Sequence, residues 1–494
     1  MLTYSFENTG KISLYEYLYE CIKNDILSGK LEANDRLPSK RAFASNLGVS
    51  VITVENAYGQ LMSEGYIYSK PKSGFFVSDV SGLYRMVRRD REAGNASEFS
   101  DLKENAGANE SHDMNLNSET EAQGDVKKDA EMNIAPLLAD FSSNSTSPEN
   151  FPFAKWTKLT RETIAGNPEE LMKKSPSCGV KPLREAIARH LRDFRNMEVD
   201  ADDIVVGAGT EYLYGLLVQL LGRDQAYAVE TPGYSTVAKV YEANGAKAVG
   251  VPLDDDGLSV DKLEETGATV AHVSPTHQYP TGITMPIGRR YELLAWAQKS
   301  EDRYIIEDDY DSEFRLSGKP MPTLRGIDHE GKVIYLNTFS KSLSRTIRVS
   351  YIVLPKKLMA RLNRMLGFYS CTVSNFEQYT LAKFIDGGLF EKHINHMRLY
   401  YSRKHDAVIK AIRESSLADR AKIIERDTGL HFLVKFKTEK EDHELAAELY
   451  KKGIRLQPLK NYGDYEGKHV FILCYSSLDT NNLGEALEIV AETL

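Results

Sequence analysis

The sequence predicts a multidomain chain: a small α+β head, a disordered acidic linker and a large α/β domain. Three observations predict it. Residues 1–80 repeat short helical patterns and end in a hairpin pattern. Residues 92–133 are acidic and nearly free of apolar side chains. Residues from about 136 to 494 carry short apolar runs with helical stretches between them. A length of 494 residues also implies more than one domain, at roughly 100–200 residues per domain.

The chain is 41% hydrophobic and 27% charged, which is ordinary for a globular protein. No stretch approaches the ~20 apolar residues of a membrane-spanning helix. The opening "MLTYSFENTGK" has no apolar run before small residues, so no signal peptide is expected. Cys21, Cys178, Cys371 and Cys474 lie far apart with no CxxC pair. That argues against a disulfide scaffold or a zinc cluster and for a reducing cytoplasm; no metal site is expected.

In the head, Tyr15, Leu18, Ile22 and Ile26 recur at helical spacing after a capping box at Ser13–Glu16, and Gly29 stops the helix. "LPSKRAFASNLG" reads as a second helix ending at Gly48, and "VSVITVENAYGQLMSEG" as a third ending at Gly65. Two short helices joined by a tight turn make a helix-turn-helix. "YIYSKPKSGFFV" then reads as two strands around a turn at Pro71 and Gly74. A helix-turn-helix followed by a hairpin is a winged helix.

The segment 81–135 is expected to be a flexible linker. Residues 92–133 hold 11 acidic and 3 basic side chains and one aromatic, too little apolar area to offset the entropy of ordering. Net charge is −9. The linker's −8 is nearly all of it, so the overall charge neither demands nor excludes nucleic acid. "RMVRR", just before it, supplies a local basic patch. The linker is expected to be a passive tether that isolates the two domains.

In the third region the runs Ile204–Val206, Ala226–Val229, Val270–Val273, Tyr304–Ile306 and Val333–Leu336 look like buried parallel strands. Ligands on such sheets bind beyond the carboxyl ends of the strands. There the sequence places "GAGTEYLYGLL", a Gly-rich turn opening a helix and suited to a phosphate. It also places Tyr234 in "ETPGYSTVA", "SPTHQYPTG", the acidic "EDDYDSEF", and "NTFSKSLSRTIRVSY" with Lys341 and Arg348. Singly each has a dull reading as loop, packing or surface. Together they are what pyridoxal 5'-phosphate needs. A lysine amine forms the Schiff base. A carboxylate keeps the pyridine nitrogen protonated, an aromatic face stacks on the ring, and backbone N–H groups with a forked arginine take the phosphate.

On these motifs, with "LPSKRAFASNLGVS" and "VENAYGQLMSEGY", the third region resembles fold-type I aminotransferases and the head resembles GntR-type winged helices. The fusion is similar to the MocR-type transcription regulators. The resemblance implies a mixed, mainly parallel sheet over 136–494, a homodimer, and bound pyridoxal phosphate. It makes Lys341 the Schiff-base lysine, pairs Asp308 with the pyridine nitrogen and Tyr310 with the ring hydroxyl, and stacks Tyr234 on the ring. It assigns the phosphate to Gly209, Thr210, Glu211, Thr338, Ser340 and Arg348. Three departures stand out. Tyr279 occupies the place of the Asn in Asn-Pro-Thr-Gly. "KKSPSCGVKPLR" lacks the Tyr that reaches a partner's phosphate. "KHVFILCYSSL" lacks the arginine that aminotransferases use for the substrate carboxylate, and Arg455 in "GIRLQP" is the substitute candidate.

Winged helices place the second helix of the turn motif in the major groove. Core spacing at Val54, Ala57, Tyr58 and Leu61 leaves Ile52, Thr53, Asn56 and Gln60 outward. Asn and Gln can read adenine, and Ile or Thr can touch a thymine methyl. Ser39, Arg41, Lys70 and Lys72 are the candidate phosphate contacts. The sequence therefore predicts a cytoplasmic regulator of double-stranded DNA that senses an amine, an amino acid or pyridoxal phosphate itself. The alternative is a working aminotransferase with an appended DNA-binding head.

Overall fold

In the computed structural model, the described residues are 4, 6, 12–71, 73–94, 137–315, 321–424 and 429–494, with side chains of 88–94 excepted. The expected linker stretch 95–135 and Lys72 lie outside them.

The head forms helices at Leu14–Ser28, Lys40–Leu47 and Val51–Ser63, and a three-stranded sheet of Arg36–Leu37, Gly74–Val77 and Ile67–Lys70. Gly29 and Gly48 end the first two helices at φ of 80° and 64°, where a side chain would strain the backbone. Ser39 and Ser50 cap the second and third, accepting from Ala42 N and Thr53 N. Ser13 also stands at an N-cap, but its hydroxyl donates to Glu16 instead of accepting an amide. Val54, Ala57, Tyr58 and Leu61 are fully buried, as their spacing requires.

The body is built on an eight-stranded sheet ordered Ile204–Gly207, Ser350–Val353, Val333–Thr338, Tyr304–Asp308, Val270–Val273, Ala226–Thr231, Lys247–Asp254 and Gly257–Leu258. All five apolar runs are strands. Ser350–Val353 runs antiparallel to both neighbours, and Lys247–Asp254 pairs antiparallel with Gly257–Leu258; the other pairs are parallel. The sheet is thus mixed and mainly parallel. The 26-residue helix Leu389–Glu414 leads into a smaller antiparallel sheet of Ala421–Ile424, His431–Phe436, Val470–Cys474 and Gln457–Pro458. None of the helices among the described residues is long and apolar enough to cross a membrane.

Two expectations about the linker are corrected. Its first part, Ser81–Gly94, is helical, because Leu83, Tyr84 and Val87 lie on one face and join a hydrophobic cluster. The head is also not isolated. That cluster runs from Leu61, Tyr66 and Val80 to Ile287, Tyr291 and Leu294 of the body. The Ile287 amide donates to Glu64 O at 2.9 Å, and Tyr84 meets Tyr291 edge-on at 5.7 Å. Gly65 lies so close to the body that a Cβ there would come 2.8 Å from the Pro286 Cβ.

Candidate functional site

The strand ends of the large sheet surround a cleft of about 360 Å³. Asp308 closes its strand at the floor. Asp308 Oδ2 accepts from Tyr214 Oη at 2.6 Å and from His272 Nε2 at 3.3 Å. His272 Nδ1 in turn takes the Tyr241 hydroxyl at 2.6 Å. This chain holds the carboxylate rigid and sets the imidazole tautomer. Its other oxygen, Oδ1, is buried without a hydrogen-bond partner among the described residues. A buried acceptor left open at a cleft floor is a place for a donor from a ligand.

Lys341 stands on the short helix Phe339–Ser342, which follows the strand Val333–Thr338. Its Nζ donates to Asn144 O at 3.1 Å. Burial lowers its pKa to about 8, helped by the neighbouring Arg345. Near neutral pH it is still mostly protonated, but the free amine, the nucleophilic form, is far more abundant than in an ordinary lysine.

The Gly-rich turn opens a helix, as its sequence predicts. Gly209, at φ 95°, precedes the helix Thr210–Leu221. A Cβ there would come 2.5 Å from Arg348 Nη2, so only glycine lets the guanidinium reach the helix N-terminus. Arg348 adopts φ 50° and donates to Glu211 Oε2 at 2.7 Å. Thr338 and Ser340 line the same cleft; the Thr338 hydroxyl caps the lysine turn by accepting from Ser340 N. Tyr234 is 49% exposed at the cleft wall and meets Tyr279 edge-on. Tyr279 donates to Tyr462 Oη at 3.2 Å.

Tyr310 enters the cleft with its hydroxyl 3.0 Å from His277 Nδ1. The same nitrogen lies 2.8 Å from Asp311 Oδ2. A proton on Nδ1 directed at the carboxylate leaves the Tyr310 hydroxyl free to donate into the cleft. Glu230 also lines the cleft, and burial pushes its carboxyl up to about 8, so it is largely neutral near pH 7. Sequence reasoning missed Tyr214, His272, His277, Asp311, Glu230, Asn144 and Arg345. His272 had a signal: it is the polar residue in the buried run "VAHV".

Arg455 is a correction. It pairs with Asp140 at 3.2 Å and lies over Tyr450, and it is not among the residues lining the cleft. The parallel pairing of Ile454–Arg455 with Ala139–Asp140 puts the acid beside it.

On the head, Ile52 is 67% exposed, Asn56 is exposed and Thr53 is half-buried with its hydroxyl against Ser50. Ser39, Arg41 and Lys70 are exposed. Lys70 lies over Phe76 at 4.9 Å. Glu55 is neutralised by Lys40 at 2.7 Å. Gln60 is a second correction: it is buried and donates to Glu64, because its helix face turns toward the first helix, where Glu64 also takes the Tyr19 hydroxyl at 2.6 Å.

The geometry defines a winged-helix head on a body of aminotransferase architecture. The comparisons agree. Residues 138–490 match the family "Aminotransferase class I and II", and residues 14–77 match "Bacterial regulatory proteins, gntR family". The chain is 32% identical to the uncharacterized HTH-type transcriptional regulator YdeL of Bacillus subtilis, over 99% of this chain and 98% of that protein. It is 29% identical to the probable rhizopine catabolism regulatory protein MocR of Rhizobium meliloti, over 97% and 94%. Among solved structures, kynurenine aminotransferase of Pyrococcus horikoshii, in complex with PMP, superposes with a TM-score of 0.63 at 25% identity, over 73% of this chain and 91% of that one. The chain belongs to the aminotransferase class I and II family and carries a gntR-family head.

Proposed function

We propose that the protein is a DNA-binding transcription regulator whose body binds pyridoxal 5'-phosphate and uses it to sense a small amine. The observation that carries this is the unpartnered Asp308 Oδ1 across the same cleft from the low-pKa Lys341. The residues present fit the cofactor. Asp308 would take the pyridinium N–H, and Tyr310 would donate to the ring hydroxyl. Tyr234 would cover one face. The turn at Gly209, Thr210 and Glu211, with Thr338, Ser340 and Arg348, would hold the phosphate. When bound, the cofactor supplies an electrophilic carbon for an amine and an electron-withdrawing ring. Lys341 would hold the cofactor through its amine, at the position an effector's amine would take. Asp308 would keep the ring nitrogen protonated, and the Tyr241–His272 chain holds Asp308 in place.

The DNA reading rests on the head. Ile52, Thr53 and Asn56 would meet bases in the major groove, with Ser39, Arg41, Lys70 and Lys72 on phosphates. The regulator reading, over turnover as an aminotransferase, is supported by the route from cleft to head. Ser274 and Tyr279 line the cleft, and the same segment continues to Ile287, whose amide holds Glu64 of the head. A change at the cleft wall would thus have a continuous path, along 274–287, to the end of the head's third helix. The relatives' names as transcriptional regulators support it too.

The partner copy has a face to fit. Phe153, Met172 and Phe368 are 62%, 80% and 70% exposed. Asn375 bonds the carbonyls of Glu170 and Lys173, and Lys174 bonds Phe368 O, which ties the segment of Met172 to that of Phe368. Exposed apolar groups of this size mark an interface, and a homodimer would cover them. The domain division proposed is 1–80 for the head and 136–494 for the body, with action in the cytoplasm, where the four free cysteines stay reduced. Footprinting of the full chain on the DNA upstream of its own gene tests the reading. A protected site is expected, together with no multiple-turnover transamination across a panel of amino acids and 2-oxo acids. Sustained turnover without a footprint would establish the enzyme instead.

A further inference from the structure

Among the described residues the cleft is lined by three cations, and two of them have work in the proposed reading. Lys341 is the cofactor's attachment point, and Arg348 meets Glu211 at the phosphate turn. Arg345 has neither role. It lines the cleft, and its guanidinium donates to Asn144 O at 2.9 Å while meeting no carboxylate among the described residues. A guanidinium has five N–H donors in a planar fork, so most of its capacity is open.

Arg345 is exposed, and its hydrogen bond to a carbonyl ties it to the lysine. Asn144 O accepts from both Lys341 Nζ, at 3.1 Å, and Arg345 Nη2. The two nitrogens are therefore no farther apart than these two bonds end to end. Asn144 is held in turn by the Ser476 hydroxyl, which bonds its Oδ1 at 3.2 Å. A ligand amine that takes the place of Lys341 Nζ thus has a cation within two hydrogen-bond lengths of it. The carboxylates of the cleft do not compete. Asp308 is reserved for the ring, Glu211 for Arg348, and Glu230 bonds Ser274 N and Gln278.

We infer that Arg345 is the carboxylate-binding residue of the cleft, and that the effector is an amino carboxylate rather than a simple amine. Its amine lies at the Lys341 position and its carboxylate meets the open fork of Arg345. Arg–carboxylate pairs are bidentate and directional, so Arg345 selects both for the acid and for its spacing from the amine. This inference rests on the pyridoxal phosphate reading and narrows it.

The test uses the full-length protein reconstituted with pyridoxal phosphate. It is titrated with glycine, L-alanine, β-alanine and 4-aminobutyrate, and with the primary amide of each, while the visible absorption of the bound cofactor is followed. The acid-to-amide ratio of half-effect concentrations is compared between variants, which cancels differences in amine basicity. In the unsubstituted protein at least one acid is expected to act at a tenfold or more lower concentration than its amide. Arg345→Gln should bring that pair to within about twofold, and Arg345→Lys should keep part of the preference. Arg455→Gln should leave it unchanged. An Arg345→Gln protein that retains both the absorption band and the preference overturns the inference, as does a preference lost only in Arg455→Gln. Equal response to every acid and amide overturns it too. Absence of any visible band in the unsubstituted protein refutes the cofactor reading itself, and the inference falls with it.

Discussion

The outward face of the head's third helix and the cleft of the body differ in what their polar groups do before a ligand arrives. On the helix Val51–Ser63, Ile52 and Asn56 face solvent. In the cleft the side chains are held from behind while one group of each is left for a ligand. Asp308 rests on Tyr214 and His272 with Oδ1 open, Tyr310 lies against the His277–Asp311 pair, and Lys341 is held by Asn144. A face that reads varied bases needs side chains free to adjust. A site that holds one cofactor works best when its donors are fixed in advance, because little ordering remains to be done on binding. Substitutions in the cleft should therefore act almost all-or-none, and those on the head should act by degrees.

The largest expected effect is at Lys341. Lys341→Ala should abolish the visible band and the covalent label left by borohydride, and peptide mapping of the unsubstituted protein should find that label on Lys341 alone. Label on another lysine would break the assignment. The attachment rate should also rise about tenfold per pH unit up to about 8 and then level off, since only the free amine reacts and burial holds its pKa there. A rate still climbing at pH 10 would contradict the lowered pKa.

Asp308→Asn comes next. It keeps the shape but weakens a hydrogen bond between charged groups, a loss of about 1.5–3 kcal/mol, or about 10–150-fold in cofactor retention on dialysis. Retention within twofold would remove Asp308 from the account. On the head, Asn56→Ala should cost ~1–3 kcal/mol on the preferred operator and relax the preference at one base pair only. An unchanged preference in a selection from random DNA would show that this face does not read bases.

Gly65→Ala probes the contact between the two regions. Gly65 has φ 82° and its Cβ would press on Pro286. The backbone alone should cost about 1–2 kcal/mol, visible as a lower denaturation midpoint. Cofactor-dependent changes in DNA affinity should shrink at the same time. The smallest effect is expected from Arg41→Ala: slightly weaker binding to all sequences alike, with the salt slope flatter by about one unit.

Much of the fold was legible because it is written locally. The period of Val54, Ala57, Tyr58 and Leu61 names the buried face of its helix, and five apolar runs name five strands. That Lys341, Asp308 and the Gly-rich turn share one cleft was legible because strand ends of one sheet converge whatever lies between them. What stayed hidden depends on partners distant in sequence. Gln60 reads as an outward reader until Tyr19 and Glu64 fold over it. Arg455 reads as a ligand cation until strand pairing brings Asp140 beside it. Arg345 lies four residues from Lys341, yet only the return of Asn144, some two hundred residues earlier, joins them. The docking of head on body was hidden for the same reason. A linker rich in charge conceals that Leu83, Tyr84 and Val87 begin it with a helix.

The central claim is that the cleft controls the head. Its most direct test is the affinity of the full chain for the DNA upstream of its own gene, measured by footprint titration with and without pyridoxal phosphate, in the unsubstituted protein and in Lys341→Ala. The account predicts that the cofactor shifts the half-protection concentration or the footprint's extent in the unsubstituted protein and leaves Lys341→Ala unmoved. Identical titrations with and without cofactor, in a protein whose visible band shows the cofactor bound, would contradict it.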